Sequence, residues 1–143
     1  MADLYERDFY AWANEQAALL RRHELGAVDI DHIAEELEAL GRSERREALN
    51  RLAVLMAHLQ NWQVQPGGRG PSWRATIREQ RLQLIRLLAD NPSLRAMLPQ
   101  LVTEAWPQAV LIAVRETMLD DSVFAAACPW TADELLDDDP WPR

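Results

Sequence analysis

Apolar residues recur at helical spacing from residue 29 to residue 63, and this periodicity constrains the fold more than any other feature of the chain. Gly41 is the only glycine within the pattern. A glycine tolerates the left-handed conformation that ends many helices. Ser43 then stands where a helix N-cap belongs, with Glu44 in the first turn. The sequence therefore predicts two helices, separated at Gly41–Arg42, with the second beginning at Ser43.

The second of these helices carries a broad apolar stripe. Leu49, Leu52, Met56 and Leu59 follow one another at three- and four-residue steps, and Trp62 extends the series. A stripe of this width faces a core rather than a single partner helix. Because burial of each large side chain contributes about 1.5–3 kcal/mol, we expect this helix to form the centre of a bundle.

The N-terminal part of the chain predicts two helical segments, the second of which is the helix that ends at Gly41–Arg42. Asp3 is placed to cap the first, and Asp29 or Asp31 is placed to cap the second. The apolar side of the second segment consists of Ile30, Ile33, Ala34, Leu37 and Leu40.

Beyond residue 62, prolines and glycines divide the chain. They predict an interhelical loop at residues 63–72, with Ser72 capping the helix that follows. A short helix is expected at residues 93–98. A long helix is expected from Pro99 to about residue 119, kinked at Pro107.

The C-terminal region also has a helix signal. Thr131 and Glu134 have the spacing of a capping box, which predicts a last short helix. Together these patterns predict an all-α fold, an antiparallel helical bundle of about five main helices with a short C-terminal capping helix. We expect one domain over residues 1–143, with residues 137–143 as an acidic tail.

The formal net charge of −8 argues against general binding of nucleic acid or of anionic membranes. No apolar run reaches the ~18 residues of a membrane helix, and the N-terminus lacks a signal-peptide pattern. We therefore expect no membrane association and a cytoplasmic location. The single cysteine, Cys128, is expected to be a buried structural thiol.

No residue pattern indicates a metal or a cofactor, and we predict neither. His32 and Glu36 form an i,i+4 pair that could share a metal, but neighbours on a solvated helix face have the same spacing. The paired Glu-x-x-His motifs of helical di-iron proteins are absent from the sequence.

Arg74, Arg78 and Arg81 lie along one line of the predicted fourth helix. The stripe could bind an anionic ligand, with Trp73 stacking on a base. The favoured alternative is pairing with acidic residues such as Glu44 or Glu47.

Six sequence blocks in order resemble one known family. They are YERDFYAW (5–12), EELEALGRSERR (35–46), HLQNW (58–62), SWRATIREQR (72–81), NPSLR (91–95) and CPWT (128–131). The blocks span nearly the whole chain, and together they resemble the bacterial family called domain of unknown function 29. The resemblance implies an all-helical fold and no established activity. Pro107 and the glycine-rich loop depart from the family pattern.

The leading functional hypothesis is a non-enzymatic module that docks another protein, and a homodimer is the alternative partner. A second hypothesis is an enzyme that acts on a small molecule or an anion. A third is nucleic-acid binding through the arginine stripe. The residues predicted for a binding surface or cleft are Glu35, Glu36, Arg46, His58, Trp62, Trp73, Arg74, Arg78, Gln80, Arg81 and Glu116. Trp62 and Trp73 are expected to be exposed at the two ends of the loop, and no catalytic residue is predicted.

Overall fold

A computed structural model of the chain describes residues 3–137. The helices in this part of the chain are α1 (Leu4–Arg7), α2 (Phe9–Arg21), α3 (Ile30–Val64), α4 (Pro71–Asp90), α5 (Pro92–Ala96), α6 (Leu98–Thr117) and α7 (Ala132–Leu136). Short 3₁₀ turns occupy Leu25–Ala27, Pro66–Gly68 and Asp121–Val123. Over residues 3–137 no strand occurs, so the predicted all-α class is confirmed.

The chain divides into two compact units, Met1–Ser43 and Glu44–Arg143, and α3 contributes residues to both. We describe each unit by itself. The single domain predicted for residues 1–143 stays a prediction, because compact units within one chain do not by themselves define independently folding domains.

The predicted break at Gly41–Arg42 is wrong, because α3 runs without interruption through both residues. Gly41 keeps a negative φ, as do the other described glycines. A break would leave unpaired N–H and C=O groups at two new helix ends. A glycine inside a helix costs only about 1 kcal/mol relative to alanine. Continuation is therefore the less costly outcome, and Ser43 lies inside the helix.

In the first unit, α2 buries Trp12, Gln16 and Leu19. Asp3 caps α1 through a hydrogen bond from the Glu6 amide, as predicted. A second cap, Asp8, accepts from the Ala11 amide and separates α1 from α2.

In the second unit, the stripe predicted on α3 forms the core. Leu52, Leu55, Met56 and Leu59 are each at most 1% exposed, which confirms this part of the prediction. Ile77, Leu84 and Leu88 of α4, together with Leu98, Leu101 and Ala109 of α6, are buried in the same cluster.

Polar contacts define the helix directions in the second unit. Asn91 bonds to Glu44, and Arg51 bonds to Gln80, so α4 runs antiparallel to α3. Arg45 bonds to Glu104 near the start of α6, and Glu116 near its end accepts from Asn61. α6 therefore runs parallel to this part of α3. The C-terminal parts of both helices consequently lie at the same end of the unit.

Several predicted boundaries move by a few residues. The loop expected at 63–72 is shorter, because α3 extends to Val64 and α4 begins at Pro71. Gly70 occupies the N-cap position instead of Ser72, since Pro71 is suited to the first helical position. α6 continues as one helix through Pro107.

The capping box predicted at the C-terminal helix is confirmed. The Thr131 hydroxyl accepts from the Glu134 amide, and the Glu134 carboxylate accepts from the Thr131 amide. Leu135 of α7 is fully buried. Of the predicted acidic tail, residues 138–143 lie outside the described residues.

Candidate functional site

A polar and aromatic cluster occupies the first unit. We call it the His32 cluster, and it consists of Asp3, Tyr5, Asp29, His32 and Glu36. The Tyr5 and His32 rings stack with centroids 3.9 Å apart and planes 8° apart. His32 Nδ1 lies 2.6 Å from Asp29 Oδ2. The Tyr5 hydroxyl donates a hydrogen bond to Glu36 Oε1. These contacts fix the imidazole between α1 and the start of α3.

The contacts of the His32 cluster also shift the pKa values of its groups. The hydrogen bond to Asp29 raises the pKa of His32, and burial opposes this effect. The same bond lowers the pKa of Asp29, and the indole N–H of Trp12, 3.2 Å from Asp29 Oδ2, lowers it further. The hydrogen bond to Glu36, together with burial, raises the pKa of Tyr5 to about 12. The cluster thus favours a protonated imidazole beside an ionised carboxylate.

Asp3, Asp29 and His32 each offer one metal-ligand atom, and these atoms lie within 4.8 Å of one another. One imidazole nitrogen and two carboxylate oxygens suit a divalent transition metal. The ion pair between His32 and Asp29 accounts for the same arrangement without a metal, because the pair occupies the two atoms that a metal would need.

The pKa shifts predict how the stability of the first unit depends on pH. The pKa of His32 is raised above 6.5, so its contribution is complete below that value and is lost as pH rises through the folded pKa. The pKa of Asp29 is lowered below 3.8, so its contribution is present above that value and is lost as pH falls through the folded pKa. Their pair is expected to stabilise most between about pH 4 and 6.5.

We therefore expect His32→Gln to lower the thermal unfolding midpoint at about pH 5.5 and to have a smaller effect at about pH 9. Circular dichroism melts of both proteins at both pH values measure this difference. His23→Asn is the matched control, because His23 is exposed and asparagine tolerates its φ of 58°. An equal loss for His32→Gln at the two pH values would contradict the pairing.

A second polar group lies at the C-terminal ends of α3 and α6. His58 Nδ1 lies 2.9 Å from the Val54 carbonyl oxygen, a distance that suits donation from a protonated Nδ1. His58 Nε2 lies 3.5 Å from Glu116 Oε2, which also accepts a 2.7 Å hydrogen bond from Asn61. His58 and Asn61 are buried. The structure therefore joins two predicted site residues, His58 and Glu116.

Trp62 is only 7% exposed, so its predicted exposure is wrong. The guanidinium carbons of Arg69 and Arg74 lie 5.4 and 5.6 Å from the centroid of its ring, within cation–π range. The Arg69 Nε also donates to the Trp62 carbonyl. Trp62 therefore packs against the loop instead of extending from it.

Trp73 is half-buried, so it too departs from the predicted exposure. Its ring covers Gly68, where a Cβ atom would fall 2.3 Å from Trp73 Cη2. The glycine in the loop is thus required by the close approach of this ring.

The arginine stripe is not a continuous surface. Arg81 is 3% exposed, and its Nε donates to the Leu135 carbonyl at 2.9 Å. Arg74 and Arg78 remain on the exposed side of α4. Of the acids expected to pair with the stripe, Glu47 contacts Arg51 and Glu44 accepts a hydrogen bond from Asn91.

The remaining predicted residues differ in exposure and in the contacts they make. Glu35 and Arg46 are exposed, and Gln80 accepts from Arg51. Glu35 and Glu36 belong to the first unit, whereas His58 and Glu116 belong to the second. Sequence patterns missed Asp3, Tyr5 and Asn61, because their partners are 29 to 55 residues away and no local spacing signals them.

An apolar helix face is exposed in the first unit. Ile30, Leu37 and Leu40 are 65%, 64% and 64% exposed, and Ala34 between them is also exposed. Their spacing places them on one side of α3. We call these four residues the α3 apolar face. The side of this helix that was predicted to be apolar is therefore exposed. Of its five residues, only Ile33 is partly buried.

These helices and clusters define an all-α protein without a recognised catalytic constellation among residues 3–137. The chain belongs to the family described as Domain of unknown function DUF29, whose model matches residues 4–141. The resemblance seen in the six sequence blocks is thereby confirmed. No curated protein and no solved structure matches the chain. Among the described helices, none combines the length and the apolar content needed to cross a lipid bilayer.

Proposed function

We propose that the protein is a non-enzymatic interaction module of the cytoplasm, and that the α3 apolar face docks a helix of another protein. The observation that supports this proposal is the exposure of Ile30, Leu37 and Leu40. An exposed apolar face of this kind is typical of sites that bind another protein. Apolar residues at i, i+4, i+7 and i+10 suit the docking of an amphipathic helix.

The charge of the first unit supports a partner of positive charge. Residues 1–43 contain ten Asp or Glu and four Arg, so they carry −6 of the net charge of −8. Asp31, Glu35 and Glu38 are exposed on α3 beside the apolar face. A helix with leucines on one side and Lys or Arg on its flanks complements this surface in shape and charge. A second copy of the chain would bring two acidic surfaces together.

The test is binding of a synthetic amphipathic helix that carries leucine on one face and lysine on the other. Isothermal titration calorimetry with the purified chain measures its affinity. An otherwise identical peptide with glutamate for lysine is the charge control. We expect the basic peptide to bind, the acidic peptide not to bind, and added salt to weaken the complex.

Leu37→Asp is expected to weaken binding of the basic peptide at least tenfold, because it places a charge in the apolar contact. Leu82→Asp, at a 48% exposed leucine of α4, is the matched control and is expected to leave binding unchanged. Equal loss in both variants, or no binding of the basic peptide, would refute the proposal. A concentration-dependent dimer that Leu37→Asp abolishes would assign the face to a second copy instead.

The two alternatives have less support. An enzyme would use the pair formed by His58 and Glu116, and its support is the single 3.5 Å contact between His58 Nε2 and Glu116 Oε2. Nucleic-acid binding needs a continuous arginine surface, and burial of Arg81 removes the third member of the stripe.

A further inference from the structure

One buried side chain in the second unit lacks the partners that its chemistry requires. Gln60 is 3% exposed, and within residues 3–137 neither its amide oxygen nor its amide nitrogen has a hydrogen-bond partner. Buried polar groups in native proteins are nearly always hydrogen-bonded. The nearby Trp106 follows that rule, since its indole N–H donates to the Ala125 carbonyl at 3.0 Å. The amide of Gln60 therefore needs a partner beyond the described residues.

Gln60 lines a cavity of about 480 Å³ between α3, α6 and the segment after α6. That volume greatly exceeds the ~30 Å³ that one water molecule occupies in the liquid. It lies within the range of about 300–1,000 Å³ found for small-molecule sites. The cavity is thus large enough to hold an organic ligand beside Gln60.

The walls of the cavity define the class of ligand. Trp106 and Phe124 supply aromatic surface, while Gln63 and Ser122 add neutral polar groups. None of the described residues that line this cavity is charged. A flat, uncharged ligand suits these walls, and no side chain among them would compensate a phosphate.

A carboxamide offers an acceptor oxygen and a donor nitrogen side by side. It pairs with a partner that presents a donor and an acceptor in the same spacing, as glutamine does with the N6 and N7 edge of adenine. We infer that this cavity binds a small, neutral, planar heterocycle whose edge carries adjacent donor and acceptor groups, and that Gln60 pairs with that edge. The carboxamide oxygen and nitrogen of Gln60 are themselves enclosed in the structure. Pairing with a ligand therefore requires the side chain to turn about its three rotatable bonds toward the cavity.

The experiment uses adenine methylated at N9 as the probe and the N6,N6-dimethyl derivative of that probe as its matched analogue, which keeps the ring and has no N–H donor. Titration calorimetry and the side-chain amide signals of the ¹⁵N-labelled full chain both report binding. We expect the probe to bind, to shift the Gln60 amide signals, and to bind about tenfold or more tightly than the dimethyl analogue. AMP is expected to bind no better than the probe.

Gln60→Leu tests the role of the carboxamide. The substitution removes two buried polar groups at nearly constant side-chain size, so the melting temperature of the variant is expected not to fall. The preference for the probe over its analogue is expected to disappear. Gln100→Leu, at an exposed position of α6, is the matched control and is expected to keep that preference.

Three results would each overturn the inference. They are no detectable binding of the probe, equal affinity for the dimethyl analogue, and a preference that persists in Gln60→Leu. If Gln60→Leu fails to fold, the Gln60 amide signals of the unmodified protein test the pairing instead. Unchanged signals at a saturating concentration of the probe would exclude it.

Discussion

Leu52→Ala is expected to lower the free energy of unfolding by about 2–5 kcal/mol, whereas Leu37→Ala on the same helix is expected to change it by no more than about 0.5 kcal/mol. The two leucines differ in burial, because Leu52 is fully buried and Leu37 is 64% exposed. Truncation at Leu52 removes packed methyl groups and leaves a cavity. At Leu37 little packing is lost, and alanine is the better helix former.

Urea denaturation followed by circular dichroism measures both changes. The comparison has a direct bearing on the proposed docking surface, since an exposed leucine that contributes little to folding is available for a partner. A loss at Leu37 as large as that at Leu52 would mean that the leucine is buried in solution, and the proposed surface would then have to be abandoned.

Arg81→Ala is expected to lower the free energy of unfolding by about 1.5–3 kcal/mol, the range found for hydrogen bonds to charged groups. The substitution removes the donor to the Leu135 carbonyl, and Leu135 is itself fully buried in α7. Loss of this bond leaves a buried carbonyl unpaired. We therefore expect α7 to become less firmly held against α4.

Arg86→Ala provides the matched control, because Arg86 is an exposed arginine of the same helix. Its expected effect is within about 0.5 kcal/mol. Arg81→Met separates the packing of the apolar stem from the hydrogen bond of the guanidinium. Methionine keeps much of the stem and lacks the guanidinium. If Arg81→Ala proved as mild as Arg86→Ala, Arg81 would belong to the surface after all, and the arginine stripe would again be continuous.

Residue patterns predicted the structure best where a local pattern is sufficient. The stripe through Leu52, Met56 and Leu59 predicts a core helix because i+3 and i+4 neighbours necessarily share a face. The capping box at Thr131 and Glu134 is equally local, since both hydrogen bonds close within three residues.

The predicted helix break was wrong because signals for a helix end and for a continuous helix compete in the same segment. Gly41 and Ser43 match a helix end followed by a new cap, yet the helix continues through both residues. Glycine permits a left-handed conformation but does not require it. The relative free energies of one continuous helix and of two helices separated by a break depend on backbone hydrogen bonds. The preferences of single residues do not describe these bonds.

Periodicity also failed to distinguish a buried apolar face from an exposed one. The stripe formed by Ile30, Ala34, Leu37 and Leu40 has three- and four-residue steps, as does the stripe at Leu52, Met56 and Leu59. The first stripe is exposed and the second is buried, although both lie on α3.

The amino-acid sequence by itself determined the helical class, the main core stripe, the last cap and the family, because these depend on residues close together in the chain or on the order of its motifs. Only the tertiary structure decided which arginine is buried, that His58 meets Glu116, that His32 stacks on Tyr5, and that Gln60 lies unpaired beside a cavity. Each of these features joins groups that are distant in sequence or depends on what packs around a side chain, and the spacing of residues along a helix carries no information about either.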